Sequence, residues 1–286
     1  MKPLVLPTLV AAFALSAFSQ AADPLKILLI TGGCCHDYAA QKDILKTGLE
    51  ARAHFAITQI HTDDKSTKPP LPIYGNPDYA KGYDLVIHDE CSAAVTDLAV
   101  IAGVLKPHRD GIPGVNLHCA MHSYRFGEYQ KPVAAGAENS QWYEYLGLQS
   151  TGHGPQEPIA LSFTDKGSPI TKGMADWTTI KEELYNNIQV LTGKELAKGK
   201  QMQPVKEKGP DGKQVVTGSK EAETIVVWTN EYGEKKTKVF STTIGHNNET
   251  VADARYLDLV ARGVLWATGH LSDDGTPKPG YGPGGK

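Results

Sequence analysis

The chain has 286 residues, 40% hydrophobic and 21% charged, with 29 Lys plus Arg against 32 Asp plus Glu and a formal net charge of −3. This composition supports a sizeable buried core and excludes a chain disordered throughout. With no basic excess it also argues against a partner held by phosphate contacts, so no nucleic acid is expected.

One Lys precedes an apolar run from Leu4 to Phe18, and Ser19-Gln20-Ala21 supplies small residues for a cleavage site. The run falls short of the ~20 apolar residues of a spanning helix. Residues 1–21 are therefore expected to be a secretory signal peptide, leaving a periplasmic or secreted chain with no membrane span. Export exposes Cys34, Cys35, Cys91 and Cys119 to oxidation. The adjacent Cys34 and Cys35 are not expected to bond each other, and no zinc-type C-x-x-C spacing is present.

Lys26 to Thr31 is a short apolar run closed by Gly32-Gly33, the pattern of a fully buried parallel strand. A helix is predicted from Tyr38 to Ala53, with Ile44, Leu45 and Leu49 on one face. His54 to His61 alternates as a second strand, and a proline-rich loop follows to Lys81. Tyr83–His88 is a third strand, Thr96–His108 a helix and Gly114–Cys119 a fourth strand. This alternation predicts an α/β fold with a largely parallel sheet. Further on, Gln141–Leu148 is aromatic-rich, a helix or a loop, and Pro158–Phe163 is a strand candidate. Residues 193–222 are polar and read as a solvated insertion. Thr224–Thr229 and Lys238–Ile244 form a C-terminal hairpin, and Ala252–Thr268 is the last helix. Residues 22–271 make one domain, followed by a flexible Gly/Pro-rich tail, 272–286.

Ligands of open α/β sheets bind outside the carboxyl ends of the strands. There the sequence places His36, His88, His118, His122 and His246, with His153 in a glycine-flanked segment. Histidine is both the commonest metal ligand and the commonest acid or base near neutrality. Together they predict a site, with His36, His118, His122 and His246 as candidate ligands of zinc or a similar divalent metal. Asp37, Asp89, Glu90 or Glu183 would complete the set. His54, His61, His108 and His270 are read as structural. Gly32-Gly33 lacks the G-x-G-x-x-G pattern, so no nucleotide cofactor is expected. Cys119 follows a strand like an elbow nucleophile, but its neighbour His118 is bulky for that motif, and a small buried residue is the simpler reading.

The motifs ILLITGGCCHDY, GVNLHCAMHSYR, EELY around Glu183, VVWTNEYG, VFSTTIGHN and RGVLWATGH, in that order, resemble the ThuA-like (trehalose-utilisation type) family. Its fold is similar to class I glutamine amidotransferases. The resemblance implies a flavodoxin-like, three-layer α/β sandwich and action on a disaccharide or glycoside, including 3-keto forms. Its matching positions here are His36, Asp37, His118, His122, Glu183 and His246, and it puts Cys119 at the amidotransferase elbow position. Three functions compete. The first is an exported enzyme using metal-assisted chemistry, with Glu183 or Asp37 as acid or base, His118 assisting, and His153, Trp142 and Arg125 at the substrate. The second is a non-catalytic carbohydrate-binding protein stacking sugars on Trp142, Tyr143, Tyr145 or Trp177. The third is a hydrolase using Cys119 with His118 or His122 as base.

Overall fold

The structure is a computed structural model and describes residues 22–209 and 212–285. The expected signal peptide lies outside the described residues. Nine strands form one mixed sheet, in the order β2-β1-β3-β4-β9-β8-β7-β5-β6. β1 (Leu25–Gly33), β2 (Phe55–Thr62), β3 (Leu85–Cys91), β4 (Gly114–Leu117) and β9 (Thr237–Thr242) run parallel. β5 (Leu148–Phe163), β6 (Trp177–Val190), β7 (Lys194–Lys208) and β8 (Gln214–Tyr232) join by antiparallel pairing. The sheet is thus mixed, and the expectation of a largely parallel sheet holds only for one half of it.

That half is three-layered because its strands are buried on both faces. Alternate residues of β1 separate cleanly. Ile27 and Leu29 join Leu45 and Leu49 of α1 (Tyr38–Glu50) and Val260 and Val264 of α5 (Ala254–Ala267). Leu28 and Ile30 join Ile101 and Leu105 of α2 (Leu98–Arg109) and Trp142 and Tyr145 of α3 (Gln141–Leu146). Asp37, Asp97 and Asp253 cap α1, α2 and α5 by accepting a backbone N–H of the first turn.

Two sequence expectations are corrected in the second half. The polar stretch 193–222, expected as a solvated insertion, forms regular structure: it supplies β7 and the outer part of β8. At its root Leu196, Ala197, Val226 and Val227 are buried and the opposite face carries Lys198–Glu223 and Lys200–Glu221 ion pairs at 3.2 and 3.0 Å, whereas residues 214–221 of the outer ribbon are exposed throughout. A strand wet on both faces needs no apolar alternation, so the sequence carries no period there. The tail is also ordered onto the domain. His54 N–H donates to the Tyr281 carbonyl at 3.0 Å, and the Tyr281 ring packs on His270 at 3.8 Å. Among the described residues no helix is long and apolar enough to cross a membrane.

Beneath α3 lies a buried polar chain. His88 Nδ1 sits 3.0 Å from Glu90 Oε1, His88 Nε2 lies 3.0 Å from His108 Nε2, and His108 Nδ1 lies 2.8 Å from the Ile112 carbonyl. Burial, then the neighbouring His88, lowers His108 to about 3. Below pH 6.5 the unfolded chain takes up this proton before the folded one. The stability His108 contributes is therefore complete above that pH and is lost as pH falls toward about 3. His108→Gln should cost about 1–3 kcal/mol near neutrality by unpairing buried groups. It should also flatten the fall in stability across that window, read by urea unfolding at neutral and acid pH.

Candidate functional site

Three loops at the carboxyl ends of parallel strands converge. Gly33 ends β1 at φ +104°, where a Cβ would strike the Cys91 carbonyl oxygen, and the chain turns out to deliver His36. β4 ends at Leu117, and His118, a non-glycine residue held at φ +42°, begins a 3₁₀ turn, His118–His122. After β9, Gly245 at φ +129° brings the chain against Tyr256, and His246 follows. The rings of His36, His118 and His246 lie 4.6, 4.7 and 5.5 Å apart. One nitrogen from each comes within 4.8 Å of the other two.

The fourth member comes from the antiparallel half. Glu183 of β6 puts Oε2 3.5 Å from His118 Nε2 and Oε1 3.4 Å from His246 Nδ1. His153 of β5 places Nε2 3.6 Å from Glu183 Oε2 and is 43% exposed. Gln156 Nε2 lies 2.8 Å from His246 Nε2 and 3.3 Å from Glu183 Oε1. His153 and Gln156 would face opposite ways on a regular strand. A register shift between them allows both to reach Glu183.

Glu182 does different work. Its carboxylate is fully buried and accepts the backbone N–H groups of Gly245, His246 and Asn247 at 3.3, 3.0 and 3.2 Å. This fastens the His246 loop to β6. Gln41 of α1 adds a bond of 3.0 Å to the His246 carbonyl, and Asn248 donates to Asp37 at 2.9 Å.

The electrostatics follow from this enclosure. The His118 Nδ1–H donates to the Thr243 carbonyl at 2.6 Å, because a carbonyl can only accept, so Nε2 is the ring nitrogen that faces Glu183. Burial lowers His36 to about 2, reinforced by repulsion from His118 and His246. Burial alone would raise Glu183, but bonding to His118 and His246 and the charge of His118 and His153 outweigh it, holding the carboxyl well below its usual range. The bond to Glu183 raises His246 despite its partial burial. His36 Nδ1 is buried without a hydrogen-bond partner, and His118 Nε2 and His246 Nδ1 meet only the Glu183 carboxylate, at 3.5 and 3.4 Å. Three imidazoles converging on one carboxylate are residue types that can hold a divalent metal. The carbonyl behind His118 is the outer partner such a ligand uses to fix its tautomer.

The structure unites His36, His118, His246, Glu183 and, at the edge, His153. His122 stands apart: its ring stacks on Tyr185 at 4.2 Å and Nε2 lies 2.9 Å from Ser150 Oγ. Burial, then Arg125, lowers it well below the ordinary histidine value. Asp37 is exposed, with its two oxygens committed to the α1 cap and Asn248. Arg125 donates to the Thr151 carbonyl at 3.0 Å and lies over Tyr129. Trp142 is a core residue, its Nε1–H donating to the Ala120 carbonyl at 2.9 Å. Tyr143, Tyr145 and Trp177 are buried too, so none of the four offers a face to a sugar. His88 and Glu90 belong to the separate chain under α3, where Tyr74 and Tyr124 also donate to Glu90 at 2.6 and 2.8 Å. Asp89 is buried, and burial and then Glu90 raise it far above the carboxylate range. Cys119 is buried 2.6 Å from Cys91, and that contact and burial push its thiol up, so Cys119 is not presented as an exposed nucleophile. Glu182 stands beside Glu183, and adjacency alone does not tell which faces the site; Gln156 is the residue the sequence did not mark. Two adjacent glutamates and a glutamine in a polar strand carry no spacing signal, and their roles come only from the sheet's closure.

Two clefts flank the centre. One, of about 600 Å³, is lined by Cys35, His36, Asp37, His246 and Asn248, with His61 on its wall. The other, about 460 Å³, is lined by Thr151, His153, Tyr185 and Asn187. Glu183 touches a histidine of each.

The sequence profile of the ThuA family, described as trehalose utilisation, matches residues 26–267. The chain is similar to a ThuA-like protein from Parabacteroides merdae at 19% identity and a TM-score of 0.58, covering 90% of this chain and 97% of that one. A second ThuA-like protein, from Bacteroides uniformis, is 15% identical with a TM-score of 0.55, covering 86% and 94%. A glutamine amidotransferase from Thermotoga maritima aligns at 11% identity over 87% and 95%, with a TM-score of 0.38. No curated protein matches the chain.

Glu182→Gln should loosen the His246 loop, because an amide cannot accept three backbone N–H groups as a carboxylate does. The amides of Gly245, His246 and Asn247 should exchange with deuterium at least about tenfold faster, with β1 unaffected. Unchanged protection at these three amides would refute the clamp.

Proposed function

The chain belongs to the ThuA (trehalose-utilisation) family, and from that premise we propose that it is an exported enzyme of sugar or glycoside catabolism. Its substrate is a disaccharide or a 3-keto-glycoside, and its chemistry is metal-assisted proton transfer. The observation that carries this reading is the convergence of three histidine rings on one buried glutamate between two clefts. A cleft on either side of the reacting group suits a substrate of two rings joined by one bond. Export is supported by the pattern of residues 1–21 and by the Cys34–Cys35 disulfide, a bond that persists in oxidising compartments.

His36, His118 and His246 would hold a divalent ion such as zinc, which when bound polarises a carbonyl or hydroxyl oxygen of the substrate. The chain's own residues handle the protons. Glu183 is the ionised acceptor and takes the proton from the carbon beside the keto group. The electron pair left there expels the neighbouring glycosidic oxygen, forming a carbon–carbon double bond. The neighbouring, half-exposed His153 then exchanges that proton with the departing oxygen or with water. Gln156, bonded to both Glu183 and His246, fixes the direction of the carboxylate.

The test is turnover of a panel of disaccharides and their 3-keto forms. The wild type should convert at least one keto form. Glu183→Gln should reduce kcat by about 10²–10⁴-fold, the usual contribution of a positioned acid or base. His153→Gln should lose less and alter the pH profile. Full activity in Glu183→Gln, or no turnover of any keto form by the metal-loaded wild type, would overturn the reading.

A further inference from the structure

The four cysteines come from three separate stretches of the sequence and meet beside the histidine centre. Cys34 and Cys35 are joined as a disulfide, contrary to the sequence expectation that adjacent cysteines would stay apart. Cys91 and Cys119 are buried free thiols, with their sulfurs 2.6 Å apart. Cys91 Sγ is also 3.5 Å from Cys34 Sγ, and the sulfurs of Cys34, Cys35 and Cys91 lie within 4.8 Å of one another. Three loops build this cluster: the turn after β1, the end of β3 and the corner after β4. None of these sulfurs takes part in the chemistry proposed above.

We infer that these cysteines form an internal thiol–disulfide relay, in which one disulfide moves between an outer pair, Cys34–Cys35, and an inner pair, Cys91–Cys119. The geometry supplies an attacker, a target and a resolving thiol in contact order. The Cys91 thiolate attacks Cys34, making a Cys34–Cys91 bond as the Cys34–Cys35 bond breaks, and Cys35 leaves as a thiolate. Cys35 is exposed and lines the larger cleft, so water stabilises the leaving group. Cys119 then attacks Cys91, forming Cys91–Cys119 and releasing Cys34. Two electrons pass from the inner pair to the outer one. The two protons lost by the inner thiols end on Cys34 and Cys35, so no external oxidant or reductant is needed.

The relay's position matters because its two ends adjoin the histidine centre. Cys35 precedes His36 and is held at φ +84°, and Cys119 follows His118, held at φ +42°. Both are left-handed conformations that L side chains rarely adopt. With the bond on the outer pair, the turn before His36 is cross-linked and the corner after His118 is free. With the bond on the inner pair, the reverse holds. The outer pair, open to the cleft, is also where a small-molecule thiol would read or reset the state.

The experiment is disulfide mapping of the purified full-length protein. It is incubated at mildly alkaline pH without reductant, quenched in acid, alkylated and digested for mass spectrometry. The wild type should keep two free thiols per chain, while alkylation shifts partly from Cys91 and Cys119 to Cys34 and Cys35. Cys119→Ser removes the resolving thiol and should trap a Cys34–Cys91 bond with Cys35 alkylated. A bond confined to Cys34–Cys35 in both proteins would overturn the relay. So would both pairs oxidised at once, or four free thiols. The wild-type mapping decides the matter even where the variant does not fold.

Discussion

The candidate site depends on one buried carboxylate. Glu182 sits on β6, the edge strand of the antiparallel half, yet it accepts three backbone N–H groups from the loop after β9, four places away in strand order. That contact requires the antiparallel half to curl back over the parallel half. The register shifts along β5, at Gln149/Ser150, Ser150/His153, His153/Gln156 and Pro158/Ala160, are the bends that allow it. Gln201 of β7 reinforces the closure by donating to the carbonyls of Glu157 and Glu182 at 2.8 and 2.9 Å. Ile159, Leu161, Leu184 and Leu196 from the curled half share an apolar cluster with Ile27, Leu29 and Val264. The clamp is thus held by packing as well as by hydrogen bonds.

Once the sheet is closed, the chemistry of the centre follows. Two adjacent residues on β6 divide the work: Glu182 secures the loop, and Glu183 faces the histidines that the loop and the parallel strands deliver. A low-dielectric pocket magnifies each charge. Burial keeps His36 neutral, while Glu183 remains ionised because His118 and His246 surround it. The centre therefore gathers three imidazoles on one carboxylate, residue types that suit a cation. The sulfur cluster packs against Tyr38, the first residue of α1.

The parallel half was legible because burial on both faces writes unbroken apolar runs, as in Lys26–Thr31, and because its loops end in histidines. His36, His118 and His246 were readable from that rule alone. The antiparallel half was less so. β5 begins ten residues before its apolar stretch, Pro158–Phe163, since its first part carries Gly152, Gly154 and polar side chains of the site. The outer β7–β8 ribbon has no buried face to mark it. His122 and Trp142 have the right chemistry in the right region, but the 3₁₀ turn aims His122 at Tyr185, and α3 packs Trp142 into the core. Adjacent Cys34 and Cys35 looked unable to pair because spacing alone omits the backbone turn that brings them together.

The central claim is that three histidines and one glutamate form a single cation-binding centre. Elemental mass spectrometry of the purified protein tests it most directly, with the wild type compared against a His36→Ala/His246→Ala double variant after loading and desalting. The account predicts a near-stoichiometric divalent transition metal in the wild type and its loss in the variant, with folding retained by circular dichroism. A wild type that binds no metal after reconstitution, or a variant that binds it equally well, would contradict the account.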